Sequence, residues 1–212
     1  STLFPYTTLF RSDDNQAELL DIVGECAKAG NPDMVYEFAS TSKVSFPGSG
    51  IAAMATSAAN IADVKKTMTI QTIGHDKINQ LRHVRYFKDI NGLKAKMKAH
   101  AEIMRPKFEA TLKVLEDELS GLEVGTWVKP YGGYFISFDA MEGCAKRIVS
   151  LCKEAGLVMT GAGATFPYGK DPKDSNIRIA PSFPTPDEME QAADLFALCV
   201  KLASVEKLLE TK

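Results

Sequence analysis

The 212-residue sequence has no apolar run approaching the length of a bilayer-spanning helix. Neither sign of charge is in excess: 25 Lys and Arg stand against 27 Asp and Glu, a formal net charge of −2. That balance lacks the basic footprint expected of a protein that binds nucleic acid or an anionic membrane surface. Cysteine is scarce. Cys26, Cys144, Cys152 and Cys199 include no C-x-x-C pair and no adjacent histidine. A zinc site is therefore not read and no metal ligands are assigned; the thiols are expected to be reduced, mostly in the core, as in a cytoplasmic protein.

Chemistry-bearing motifs are also few. The three histidines, His75, His83 and His100, form no nucleophile–base set by spacing. His83 and His100 are expected as partly exposed positions on a long helix. No carboxylate is isolated in an apolar stretch that would tune it as an acid. There is no G-x-G-x-x-G. "GAGATFPYGKD" fails as a phosphate-binding loop because Ala164 stands where its first glycine is needed and Asp171 follows Lys170. A solvent loop is expected there. Repeats and low-complexity tracts are absent, as is an initiator methionine. The opening "STLFPYTTLFRS" is interrupted by Pro5 and places its charge after the apolar stretch, the reverse of a secretory signal. Residues 1–12 are set apart as a foreign or disordered leader.

What remains is 45% hydrophobic, enough for a substantial core in one or two domains. Leu19, Leu20, Val23 and Cys26 share one face of a predicted helix over 16–28, which ends before Gly30 and Pro32. "MVYEFAS" (34–40) reads as a strand. "IAAMATS" (51–57) reads as a second, buried on both faces because it does not alternate, and 58–69 as a helix. From Asp76 to Leu119 an amphipathic stripe predicts helix, bent at Asn91-Gly92 and Pro106 and long enough to bridge two bodies. "EVGTWVKP" and "GYFISFD" predict strands flanking a glycine turn. A helix follows over 144–155, then a strand at "NIRIAPSFP" (176–184). Thr185, Pro186 and Glu188 spell a capped helix start, with Met189, Ala193, Phe196, Val200 and Ala203 as its buried face.

Two cations stand out by their surroundings. Lys43 lies in "FASTSKVSFPGSG" (38–50), among Ser40, Ser42, Ser45 and Ser49 and the glycines at 48 and 50. Taken alone, this is either a polar surface turn or a phosphate cradle with a reactive amine. Arg178 interrupts the apolar "NIRIA", as an exposed alternate position or a structural ion pair would.

In order along the chain, "FASTSKVSFPGSG", the long helix, "VKPYGGYFISFD" and "NIRIAPSFP" resemble the fold-type I aminotransferases that use pyridoxal 5'-phosphate. The match is nearest to the divergent aspartate aminotransferase subgroup with Ala-Ser-Thr-Ser-Lys at the lysine, and spans roughly residues 15–212. The resemblance implies an α/β fold: a partial transferase fold with part of a large cofactor-binding domain (13–75), a bridging helical region (76–119) and a small C-terminal α/β domain (120–212).

It further implies that Lys43 holds the cofactor as an imine and moves the proton at the substrate α carbon. Ser40, with Ser42, would bind the cofactor phosphate. Arg178 would grip the substrate α-carboxylate. The substrates implied are aspartate or a similar amino acid and a keto acid such as 2-oxoglutarate, on a homodimer. Ile51 departs from the pattern, since many members carry a phosphate-binding arginine there. The family's region before the lysine, with its ring-stacking aromatic and ring-nitrogen aspartate, is missing, so the chain is expected to be a C-terminal half, inactive alone. Two rivals stand beside this reading: a carbon–sulfur lyase of the same fold, and a non-catalytic aminotransferase-like regulatory module.

Overall fold

The computed structural model describes residues 20–46 and 48–210. The leader assigned to 1–12 lies outside these residues. Two compact units are present, and the division between them, at His100 and Ala101, falls inside one helix.

In the first unit, α1 (Ile22–Lys28) is started by Asp21, whose carboxylate accepts from the Gly24 amide at 2.9 Å. The helix read over 16–28 begins at Ile22 among the described residues, with Leu19 outside them; no residue of α1 is buried, and Leu20 is 69% exposed. Strands β1 (Glu37–Ser40) and β2 (Ala52–Ala55) pair antiparallel, Glu37 opposite Ala55 and Ser40 opposite Ala52. The sheet has these two strands among the described residues, and β2 is exposed or half-buried along its length. The expectation of a strand buried on both faces is therefore corrected. Its alanines permit burial, but nothing described covers both faces.

α2 (Ala58–Gln71) is capped by Ser57, whose hydroxyl accepts from the Asn60 amide. α3 (Lys77–Phe87) and α4 (Ile90–Leu119) replace the single bent stretch expected from Asp76 onward. The break comes at Lys88, in the left-handed region at φ 63°, and not at Asn91-Gly92. Asp89 restarts the helix by accepting the amides of Asn91 (2.8 Å) and Gly92 (3.0 Å). Gly92 has a steric purpose instead: a Cβ there would lie 1.9 Å from the Phe87 carbonyl oxygen. Pro106 sits within α4, which continues through it.

The second unit contains a three-stranded antiparallel sheet of order β3-β4-β5, with β3 Gly125–Trp127, β4 Ile136–Ala140 and β5 Asn176–Ile179. Helices α5 (Ala145–Glu154) and α6 (Pro186–Glu210) complete it. Phe108, Leu115 and Leu119 of α4 join Ile136, Phe138, Ile148, Ile177, Phe196 and Val200 in one core. Alternation along β5 sends Ile177 and Ile179 inward and leaves Asn176 and Arg178 on the other face.

The capping box at α6 forms as expected. The Thr185 amide donates to Glu188 Oε2 at 2.8 Å and the Glu188 amide to Thr185 Oγ1 at 3.3 Å. Cys144, Cys152 and Cys199 are buried as free thiols, and Cys26 is half-buried. Burial pushes the Cys152 thiol up to about 12, with Cys199 beside it adding to the shift.

Candidate functional site

Lys43 stands on a tight turn that closes the β1–β2 pair. The amides of Val44 and Ser45 both donate to the Thr41 carbonyl at 2.9 Å, so the chain winds once around residues 41–45 with Lys43 at the middle. The Thr41 amide donates to Ile51 O at 2.8 Å and adds one more rung beyond Ser40 and Ala52. Lys43 is exposed, as are Ser40 and Ser42 on either side of Thr41. The two serine hydroxyls are 2.9 Å apart, and the Ser42 amide reaches back to Ser40 Oγ at 3.4 Å.

Gly50 faces this turn closely. A Cβ at position 50 would meet Ser42 Oγ at 3.0 Å and Ser42 N and Cα at 3.1 Å. The glycine lets the far side of the loop press against the serine, which any side chain would push away. Two hydroxyls and an amine on one small-residue turn are a donor set suited to an anion that also carries a carbonyl. A hollow of about 870 Å³ in the same unit is lined by Phe38, Ile51, Met54 and Met68 together with His75 and Asn79.

The polar residue between the serines points inward. Thr41 is 4% exposed. Its Oγ1 accepts the Ile51 amide at 2.9 Å and donates to Ile51 O at 3.4 Å. Ser45 Oγ lies 2.9 Å from Thr41 Oγ1 and 2.7 Å from His83 Nε2. His83 is buried on α3, which corrects the expectation of a partly exposed helix position. Its ring packs edge-on to Phe46 at 5.3 Å between centroids, and Phe46 also meets Tyr86 at 5.1 Å.

Sequence reasoning gave Thr41 and His83 no part in the site and named Ser45 only among the serines of the loop. The available signal was the spacing of His83 and Phe87, one turn apart on the same helix face. His100, by contrast, is half-buried, and burial followed by nearby Lys96 holds its imidazole below the ordinary value.

In the second unit, Arg178 is partly exposed on β5, paired with Ser137 of β4. Its guanidinium carbon lies 4.4 Å from the centroid of the Phe135 ring. Stacking on an aromatic face fixes the plane of the guanidinium while leaving its edge for a carboxylate. Arg178 Nε is buried without a hydrogen-bond partner among the described residues. A cavity of about 290 Å³ lies beside it, lined by Met159, Phe183, Met189 and Phe196 among others.

β5 itself is held by Asp171, whose carboxylate accepts the amides of Lys173 (2.9 Å), Ser175 (2.8 Å) and Asn176 (2.8 Å). Those amides, that of Asn176 first, hold the Asp171 carboxyl below the usual carboxylate range. The 161–171 segment carries exposed Phe166 and Tyr168, the latter 96% exposed, as a solvent loop would. Each cation of interest belongs to its own unit: Lys43 to the first, Arg178 to the second.

Residues 6–212 match the family described as aspartate amino-transferase. A curated relative from Mycolicibacterium smegmatis, bearing a provisional aminotransferase name, is 46% identical over 199 residues, 94% of this chain and 46% of its own length. An aspartate aminotransferase of Corynebacterium glutamicum is 44% identical over 193 residues, 91% of this chain and 45% of its own length. The crystal structure of an aspartate transaminase from Corynebacterium glutamicum superposes with a TM-score of 0.89 at 42% identity, covering 96% of this chain and 47% of that one. The chain thus spans about half the length of the relatives it matches.

Proposed function

This chain belongs to the aspartate amino-transferase family, and on that premise we propose that it is the lysine-bearing part of an enzyme that moves an amino group between aspartate, or a similar amino acid, and 2-oxoglutarate, using pyridoxal 5'-phosphate bound at Lys43. The observation that carries the reading is the 41–45 turn, which sets exposed Lys43 next to the paired hydroxyls of Ser40 and Ser42 in a chain of this family.

Ser40 and Ser42 would hold the cofactor phosphate and Lys43 Nζ its aldehyde carbon. Bound pyridoxal phosphate supplies a ring that accepts electrons from the substrate α carbon. The residues of the chain supply the rest. Lys43 Nζ, once displaced by the amino acid, is the base that takes the α proton and the acid that returns it. An amine serves both turns of that cycle because it is a good nucleophile and base when deprotonated. Arg178 would donate to the α-carboxylate through its planar fork and so hold the substrate in one orientation. Phe135 beneath the guanidinium holds the fork in plane.

This reaction belongs to the full-length protein, proposed to act as a homodimer, and the present chain alone is expected to be inactive. The test is borohydride reduction of the full-length protein with pyridoxal phosphate, followed by peptide mass mapping. A pyridoxyl mass on Lys43 is expected. Reduced cofactor on another lysine, or on none, would overturn the assignment. Amino exchange with 2-oxoglutarate separates a transaminase from a carbon–sulfur lyase, which would label Lys43 and leave the keto acid unchanged.

A further inference from the structure

We propose that His83 is the positioning residue of the Lys43 turn: through Ser45 and Thr41 it sets where the lysine backbone stands, and so how readily Lys43 takes up and holds its carbonyl partner. The inference rests on the assignment of Lys43 as the cofactor lysine.

His83 Nδ1 lies 2.9 Å from Asn79 O, four residues earlier on α3. A carbonyl only accepts, so Nδ1 carries the proton. In the neutral ring Nε2 is then a bare lone pair, and it accepts the Ser45 hydroxyl at 2.7 Å. Both ring nitrogens are thereby used, with a helix carbonyl on one side and the lysine turn on the other. Ser45 is the closing residue of the turn, its amide already on Thr41 O. Thr41 Oγ1 accepts the Ile51 amide at 2.9 Å, at the far end of the loop, and lies 2.9 Å from Ser45 Oγ and 3.3 Å from His83 Nε2. One imidazole thus ties both ends of the Lys43 loop to α3, thirty-eight residues on from Ser45.

An imidazole is an expensive way to fill this place if packing is its only task. Its neighbours Phe46 and Phe87 are aromatic, with ring centroids at 5.3 and 5.9 Å. A phenyl ring would pack among them without a polar group to desolvate. What a phenyl ring lacks is the acceptor for Ser45. The histidine is the choice that fixes the loop's position, and cofactor lysines are sensitive to position, because misplacement by about 1 Å costs about a hundredfold.

The experiment uses the full-length protein and pyridoxal 5'-phosphate as the probe, with three variants. His83→Phe keeps the ring and removes the acceptor. Ser45→Ala removes the donor at a half-buried position and covers the case in which His83→Phe does not fold. His83→Gln returns an acceptor near the place of Nε2. Two quantities are read: the rate at which cofactor-free protein acquires the absorption band of lysine-bound pyridoxal phosphate, and the pH midpoint of that band.

His83→Phe and Ser45→Ala are expected to slow attachment by about tenfold to a hundredfold and to move the midpoint in the same direction, while His83→Gln recovers both. A general structural defect would not be rescued by glutamine. Folded His83→Phe or Ser45→Ala protein with the original attachment rate and pH midpoint overturns the positioning role alone. Unsubstituted protein that never forms a Lys43 adduct overturns the lysine assignment, and the positioning role with it.

Discussion

Replacing Thr41 by valine tests the loop where it is most constrained. Valine has nearly the shape of threonine, so the 4% exposed site is neither emptied nor crowded. What is lost is the acceptor of the Ile51 amide at 2.9 Å, the weaker bond to Ile51 O at 3.4 Å, and the contact with Ser45 Oγ. Leaving a buried donor without a partner costs about 1–3 kcal/mol. A methyl in place of the hydroxyl returns up to about 0.8 kcal/mol of burial. The net cost is about 0.2–2.2 kcal/mol, which favours local opening by up to about fortyfold, since about 1.4 kcal/mol is a factor of ten.

Native-state hydrogen exchange reads this directly, without requiring the chain to unfold in one step. The reporters are the amides of Val44 and Ser45, which keep their bonds to the carbonyl of residue 41 and therefore sense the loop and not the deleted group. Faster exchange at both, beside a large loss of protection at Ile51, is expected. Unchanged protection at Val44, Ser45 and Ile51 would refute the view that the Thr41 hydroxyl holds the turn.

Other perturbations follow from the second unit. Arg178→Ala in the full-length enzyme should raise KM for the amino acid and lower kcat, by about tenfold to a hundredfold in kcat/KM for a lost charge-assisted pair; steady-state kinetics unchanged from the parent would remove Arg178 from the site. Asp171 titrates below the usual carboxylate range, so its stabilising effect is complete above the unfolded value of about 3.9 and fades as pH falls toward the folded one. Asp171→Asn should therefore flatten the acid limb of a thermal-midpoint profile, and an unaltered limb would refute the linkage. Cys152, pushed up to about 12 and fully buried, should resist iodoacetamide at pH 8 in the native state while half-buried Cys26 reacts, as peptide mass mapping will show; early labelling of Cys152 would contradict the burial.

Much of the second unit was legible in the sequence because its signals are local or periodic. Thr185 and Glu188 are three residues apart and cap one another wherever the chain puts them. Phe108, Leu115 and Leu119 recur at helical steps and do enter the core. The first unit was harder to read for physical reasons. Ala52–Ala55 has the composition of a buried strand, yet burial depends on what lies over it, and composition carries no information on that. The break at Lys88 left no glycine or proline to announce it; the glycine that misled, Gly92, is there for the Phe87 carbonyl.

Lys43 was visible as a lysine among hydroxyls. Its supports were not, because Thr41 and Ser45 meet His83 about forty residues away in sequence. The partner of Arg178, Phe135, was likewise hidden, since only the register of β4 on β5 brings the two together.

That register also separates the two cations in time. The strands flanking Lys43 pair across a short loop, Ser40 with Ala52, whereas β5 must find β4 across a much longer one, Asp139 with Asn176. Chain-closure entropy makes the second pairing dearer by about 1 kcal/mol and correspondingly slower to nucleate. During folding the amine turn is thus ready while the guanidinium strand is still searching. An arrested or slowly folding variant would accumulate molecules with the Lys43 turn closed and β5 still unpaired.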